Sequence, residues 1–155
     1  MSQEALAPPS SAGIGQGLYQ IFNAQSNENQ LVQAGYEIGT PVTLDSPAEP
    51  PVLSQLWIAR PVRSAQPELY TLQSLNGEFP LFAVNPDEDP NHWIYSSTNN
   101  NAYYINSDDN KNYVIRTVEG SKVWTADDIT GRHIRLQDPD GSKKQLWQFK
   151  LIFKQ

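Results

Sequence analysis

Residues 54–62 read SQLWIARPV and residues 144–152 read KQLWQFKLI. Each sets Gln-Leu-Trp ahead of a tail in which apolar residues alternate with others, the period of a strand with one buried face. One strand written twice in a short chain points to a structural unit that recurs. Working outward, Gly17-Leu18-Tyr19-Gln20-Ile21, Leu69-Tyr70-Thr71-Leu72 and Asn112-Tyr113-Val114-Ile115 read as a single opening strand present three times. Each opening strand leads to a closing aromatic strand, at Trp57, Tyr104 and Trp147, with an apolar strand between them at Val42, Trp93-Ile94 and Ile134. The repeated tryptophans themselves read as core residues, rings buried and N–H groups paired.

Helix signals are nearly absent. No window holds apolar residues at helical spacing over three turns, and 12 Pro and 9 Gly cut the chain into short pieces. About twelve strands follow from the β-rich runs between these breaks. Asn76-Gly77, Glu119-Gly120 and Asp140-Gly141 read as hairpin-type turns, with Gly supplying the positive φ. Three four-stranded units of roughly forty to fifty residues are too few for a propeller and fit a β-trefoil. In that all-β fold, units that cannot bury their apolar faces alone share one barrel core. One alternative register lets NHWIYSS (91–97) close the second unit and NAYYIN (101–106) open the third.

The chain has 155 residues, room for one domain. Residues 1–15, rich in Pro, Ser and Gly, read as a flexible arm, and residues 16–155 as the trefoil. There is no Cys, which excludes disulfides, Cys-ligated zinc and thiol nucleophiles. Net charge is −6 and the 11 Lys and Arg are scattered, so no basic face exists for nucleic acid or an anionic membrane. The first residues lack a basic start and an apolar run, so a cytoplasmic monomer is expected. His92 and His133 stand at separate strand starts and no HExxH or GxSxG occurs, so no enzyme activity and no cofactor or metal are expected. The acidic run 85–90 (NPDEDP), Asp108-Asp109 and Asp127-Asp128 read as solvated charge, because neighbouring carboxylates on one loop rarely converge on a cation.

The chain resembles two groups of trefoils. GTPVTLDSPAEPPVLSQLW (39–57) and GRHIRLQDPDGSKKQLW (131–147) are similar in layout to the Gln-x-Trp repeats of ricin-B-type lectins, and GLYQIFN (17–23) to the opening strand of mushroom members. PPVLSQLWIARP (50–61), LFAVNPDEDPNHWIYSS (81–97), NAYYI (101–105) and KVWTADD (122–128) resemble mushroom serine-protease inhibitors of the cospin type, in order and spacing. The second resemblance implies an inhibitor that inserts a rigid loop into a serine-protease cleft. The first implies glycan binding, by an Asp after the second strand of a repeat together with polar groups further along. Gln33 stands at that position in the first repeat and Phe82-Ala83 in the second; only the third places an Asp nearby, at Asp127.

Inhibitors of the cospin type carry their reactive site between the second and third strands. That segment is AGYEIGTP (34–41), which makes Gly35, Tyr36, Glu37 and Ile38 the expected protease-binding residues, with Tyr36 matched to an apolar specificity pocket. A trypsin-like pocket wants a basic residue, and Arg63-Ser64 offers one between Pro61 and Pro67, which would stiffen the loop. Asn27 on the first loop would suit an asparagine-specific protease. Each of these loops also reads as an ordinary solvated connection.

Overall fold

The computed structural model describes residues 14–26, 29–35, 37–62, 68–76, 81–86, 89–107, 109–118, 122–127 and 132–154. Twelve strands are present among them, four per repeat. The first repeat holds β1 (Gly17–Asn23), β2 (Leu31–Gln33), β3 (Thr43–Asp45) and β4 (Trp57–Pro61). The second holds β5 (Leu69–Ser74), β6 (Leu81–Val84), β7 (Tyr95–Ser97) and β8 (Ala102–Asn106). The third holds β9 (Val114–Thr117), β10 (Val123–Ala126), β11 (Ile134–Gln137) and β12 (Trp147–Lys154).

First and fourth strands form a closed barrel. The antiparallel pairs β1–β4, β4–β5, β5–β8, β8–β9 and β12–β1 run around it. Tyr113 and Trp147 close the ring by exchanging both backbone hydrogen bonds at 2.7 and 2.8 Å. Second and third strands pair as the hairpins β2–β3, β6–β7 and β10–β11. These hairpins meet about the pseudo-threefold axis, where Val42 N–H donates to the Ile94 carbonyl and Ile94 N–H to that of Ile134. This is a β-trefoil. NAYYIN supplies β8 and closes the second repeat, while Trp93 and Ile94 lead into its third strand.

The core repeats by layers. Ile21, Leu72 and Ile115 are fully buried at one level, and Trp57, Tyr103 and Trp147 at another. The pairs Tyr19–Trp57, Tyr70–Tyr103 and Tyr113–Trp147 set the equivalence. The middle copy of the tryptophan is therefore Tyr103 and not Tyr104, because successive strand residues point to opposite faces. Trp57 and Trp147 donate their indole N–H groups to the carbonyls of Val32 (2.9 Å) and Trp124 (3.1 Å). Tyr103 sends its hydroxyl to Asn85 Oδ1 at 2.7 Å instead.

Gln55 and Gln145 precede their strands, in short 3-10 turns at Leu53–Gln55 and Lys143–Gln145. Asp140-Gly141 makes a turn between segments that do not pair: Asp140 Oδ1 accepts Ser142 N–H and Gly141 has φ +78°. Gly77, Glu119 and Gly120 lie outside the described residues.

Tyr19, Tyr70 and Tyr113 are the three equivalent opening-strand tyrosines. Tyr19 donates its hydroxyl to the Ile14 and Gly15 carbonyls, and Gly15 N–H donates to the Tyr70 hydroxyl, which anchors the chain on entry. Burial, followed by the facing Tyr70 and Tyr113 phenols, pushes Tyr19 from 10.0 to about 12. Burial raises Tyr103 as well. Tyrosines of the unfolded chain ionise near pH 10, so above that pH the folded state holds more protons than the unfolded one. Stability is therefore complete below pH 10 and falls as pH rises through 10 toward 12. Urea midpoints measured from pH 8 to 12 check this, alongside the phenolate absorbance; a flat midpoint across that range contradicts it.

Candidate functional site

The three β3–β4-type loops differ in how they are held. In the first repeat the Gln55 amide donates to Gln33 Oε1 (2.8 Å) and the Ser46 carbonyl (3.0 Å), while its Oε1 accepts Ala48 N–H (2.9 Å). Gln145 repeats this in the third, donating to Thr125 Oγ1 (3.2 Å) and the Asp138 carbonyl (2.9 Å) and accepting Asp140 N–H (2.8 Å). The second repeat has Asn101 at this position, two residues before its core aromatic. It is one methylene shorter, and its Oδ1 accepts Asn85 N–H at 3.0 Å. The connection the glutamines stitch down elsewhere is short here: residues 98–101 join β7 to β8, against 46–56 and 138–146 in the other repeats, and Asn99 N–H donates to Ser97 Oγ at 3.1 Å.

A cleft of about 700 Å³ opens at that place. It is lined by Val84, Asn85 and Pro86, by Tyr95 and Ser97 of β7, and by Asn99 to Asn101. Ile38 of the first repeat lines it too, 59% exposed. Asp89 lines it as well. Its Oδ2 accepts Trp93 N–H at 2.8 Å and its Oδ1 accepts Asn91 N–H at 3.2 Å. Burial alone would raise the Asp89 carboxyl; those two N–H groups and the Tyr95 hydroxyl outweigh it and hold Asp89 below its ordinary value. Tyr95 moves the other way, raised by burial and then by its bond to Asp89 and that charge. At neutral pH the cleft therefore holds a carboxylate beside a neutral phenol. No Lys, Arg or His lines it among the described residues.

Ile38 owes its position to Ser96. Gly35 N–H donates to Ser96 Oγ (3.3 Å), Gly39 N–H to the Ser96 carbonyl (2.7 Å), and Ser96 N–H to the Thr40 carbonyl (2.9 Å). Between those anchors Glu37 to Thr40 make a turn, closed by Thr40 N–H and Thr40 Oγ1 on the Glu37 carbonyl at 3.2 and 2.6 Å. Gly39 sits third in that turn at φ +87°, a conformation open to Gly. Gly35 is enclosed too, since a Cβ there would lie 1.8 Å from Thr40 Oγ1.

Of the residues singled out in the sequence, Gly35, Glu37 and Ile38 thus lie on a loop clamped to β7, and Ile38 reaches the cleft. Tyr36, Arg63, Ser64 and Asn27 lie outside the described residues. The residues that shape the cleft, Asn85, Asp89, Tyr95 and Asn101, went unselected. The replacement of Gln by Asn in an otherwise repeated Gln-x-aromatic pattern was the signal that could have found them.

Two acidic expectations change. Asp89 is built into its loop by backbone N–H groups rather than merely solvated. Asp127 is buried, its side chain 2% exposed, and its Oδ2 accepts Arg135 at 3.0 and 3.3 Å and the Trp93 indole N–H at 3.3 Å. His133 stacks on Trp93 with ring centroids 3.7 Å apart and planes 4° from parallel. Asp109 stays exposed, but its Oδ1 accepts Lys111 and Asn112 N–H and so shapes the β8–β9 turn. Lys111 and Asn112 N–H, with further hydrogen bonds, lower its carboxyl to about 2.

No protein-family model matches the sequence, and no curated protein matches it. Solved structures do match in shape. A mosquitocidal holotoxin superposes with TM-score 0.74 at 18% identity, over 88% of this chain and 17% of the toxin. The Rhizoctonia solani agglutinin gives TM-score 0.71 at 13% identity, over 97% of this chain and 99% of the agglutinin. The Polyporus squamosus lectin, bound to the human-type influenza-binding epitope Neu5Aca2-6Galb1-4GlcNAc, gives 0.70 at 18% identity, over 89% of this chain and 50% of the lectin. The chain thus spans about a sixth of the toxin and half of that lectin. At these identities the likeness establishes the trefoil fold.

Proposed function

We propose that this chain is a carbohydrate-binding trefoil whose site is the second-repeat cleft, and that its ligand is an uncharged saccharide. The observation that carries the reading is the lining of that cleft. A sugar ring offers an apolar C–H face and a rim of hydroxyls. Tyr95 supplies an aromatic surface, Asn85 and Asn101 supply primary amides, and Asp89 supplies an ionised acceptor. Asn101 Oδ1 accepts Asn85 N–H and Asn85 Oδ1 accepts the Tyr103 hydroxyl, which leaves donation by their NH₂ groups as what the two amides can add for a ligand. A cleft with aromatic and apolar walls and a few converging polar groups is what small-molecule sites share. Two of the neighbours are an agglutinin and a lectin, which supports the same reading. The protease-inhibitor expectation has no counterpart among the neighbours named.

Charge sets the preference. Asp89 lines the cleft and no described lining residue is cationic, so a carboxylated sugar meets repulsion without compensation. A glycan array carrying matched neutral and sialylated chains is expected to retain this protein on neutral members only. Tyr95→Ala should weaken that binding at least tenfold, about 1.4 kcal/mol or more. Binding to no glycan on the array, together with inhibition of a chymotrypsin-like protease at micromolar concentration, overturns the reading in favour of the inhibitor.

A further inference from the structure

Resting on that saccharide reading, we infer that the trefoil binds at one repeat only, because the equivalent positions of the other two are occupied by the chain's own side chains. The register fixes the equivalence. Tyr95 follows Ile94 and pairs with Val84; Thr43 follows Val42 and pairs with Gln33; Arg135 follows Ile134 and pairs with Thr125. Three symmetry-related places therefore carry Tyr95, Thr43 and Arg135 at the position that supplies the aromatic ring in the second repeat.

In the third repeat Arg135 lies down on Asp127, with two of its nitrogens on Oδ2 at 3.0 and 3.3 Å. Asp127 is the residue there best suited to hold sugar hydroxyls, and that oxygen already takes the Arg135 and Trp93 donors. Displacing the guanidinium would strand a nearly buried carboxylate, at a cost that a few hydroxyl contacts do not offset. Gln145, the counterpart of Asn101, spends its amide on Thr125 and Asp138.

In the first repeat Thr43 offers no ring face. Its hydroxyl donates to Asp45 Oδ2 at 2.7 Å, and Asp45 Oδ1 takes Arg132 at 2.8 Å. Gln55 ties the neighbouring loop closed. Among the described residues, only the second repeat combines the ring face, the amides and a connection short enough, 98–101, to leave the cleft open. A single copy of the chain then holds one saccharide and cannot cross-link two.

Isothermal titration of the full chain with lactose tests this, supplemented by the methyl glycosides of galactose, glucose and mannose. The expected result is one site per chain, lost in Tyr95→Ala and retained in Thr43→Ala. Tyr95 is partly buried and outside the hydrophobic core, so the variant is expected to fold, and circular dichroism verifies it; Tyr95→Phe, which keeps the ring, should restore part of the binding. Two or three sites per chain, or full residual binding in a folded Tyr95→Ala, overturns the inference and leaves the saccharide reading standing. No heat with any of the four sugars overturns both.

Discussion

Trp147→Ala is expected to destabilise the domain by about 3–5 kcal/mol, the range for truncating a buried large aromatic. Trp147 is fully buried, and three interactions depend on its ring. Its indole N–H donates to the Trp124 carbonyl, its ring meets Trp124 edge-to-face at 6.0 Å, and it fills the layer shared with Trp57 and Tyr103. Its backbone also closes the barrel against Tyr113, so a void at this point weakens the seam between the third repeat and the first. A single domain is stable by about 5–15 kcal/mol, so this one change removes a large share of it. At roughly 2–4 °C per kcal/mol for a chain of this size, the melting temperature should fall by about 6–20 °C. Phe153→Ser, on the same strand but 63% exposed, should stay within about 0.5 kcal/mol of the parent. Calorimetric melting of the two variants side by side makes the comparison; similar shifts for both would mean that the duplicated strand is not held by its tryptophan.

That contrast also marks what the sequence could reveal. The threefold pattern was legible because burial repeats: one residue type must return wherever three equivalent strands meet one core. Trp57 and Trp147 announce themselves by the shared Gln-Leu-Trp. The middle copy hid because Tyr103 and Tyr104 are identical in type and adjacent, and a one-residue slip exchanges the two faces of a strand. Spacing alone pointed to Tyr104; the pairing of Tyr70 with Tyr103 settles it. The cleft was illegible for a different reason. It joins Ile38 of one repeat to Tyr95 and Asn101 of the next through Ser96, a buried residue whose three bonds cross between repeats and leave no local pattern. Asp127 misled because a carboxylate beside another carboxylate looks solvated until its distant partners, Arg135 and Trp93, are placed.

Asp127→Ala is the second change expected to act strongly, and it separates folding from binding. Removing one member of a buried ion pair costs about 3–5 kcal/mol, since the partner is left charged and desolvated. Here Arg135 keeps 23% of its side chain exposed, so water recovers part of that, and about 2–3 kcal/mol is expected. The indole N–H of Trp93 also loses an acceptor, which adds to the loss. Replacing both charges, in Asp127→Ala with Arg135→Met, should recover about half of that loss, because no uncompensated charge then remains while the Trp93 indole N–H still lacks its acceptor. Urea unfolding of the two single variants and the double variant closes the cycle. A double variant as unstable as Asp127→Ala would show that Asp127 matters through its other neighbours and not through Arg135. Saccharide binding gives the independent readout: if the proposed second-repeat cleft is the site, the folded double variant should bind as the parent does, because Asp127 and Arg135 do not line that cleft.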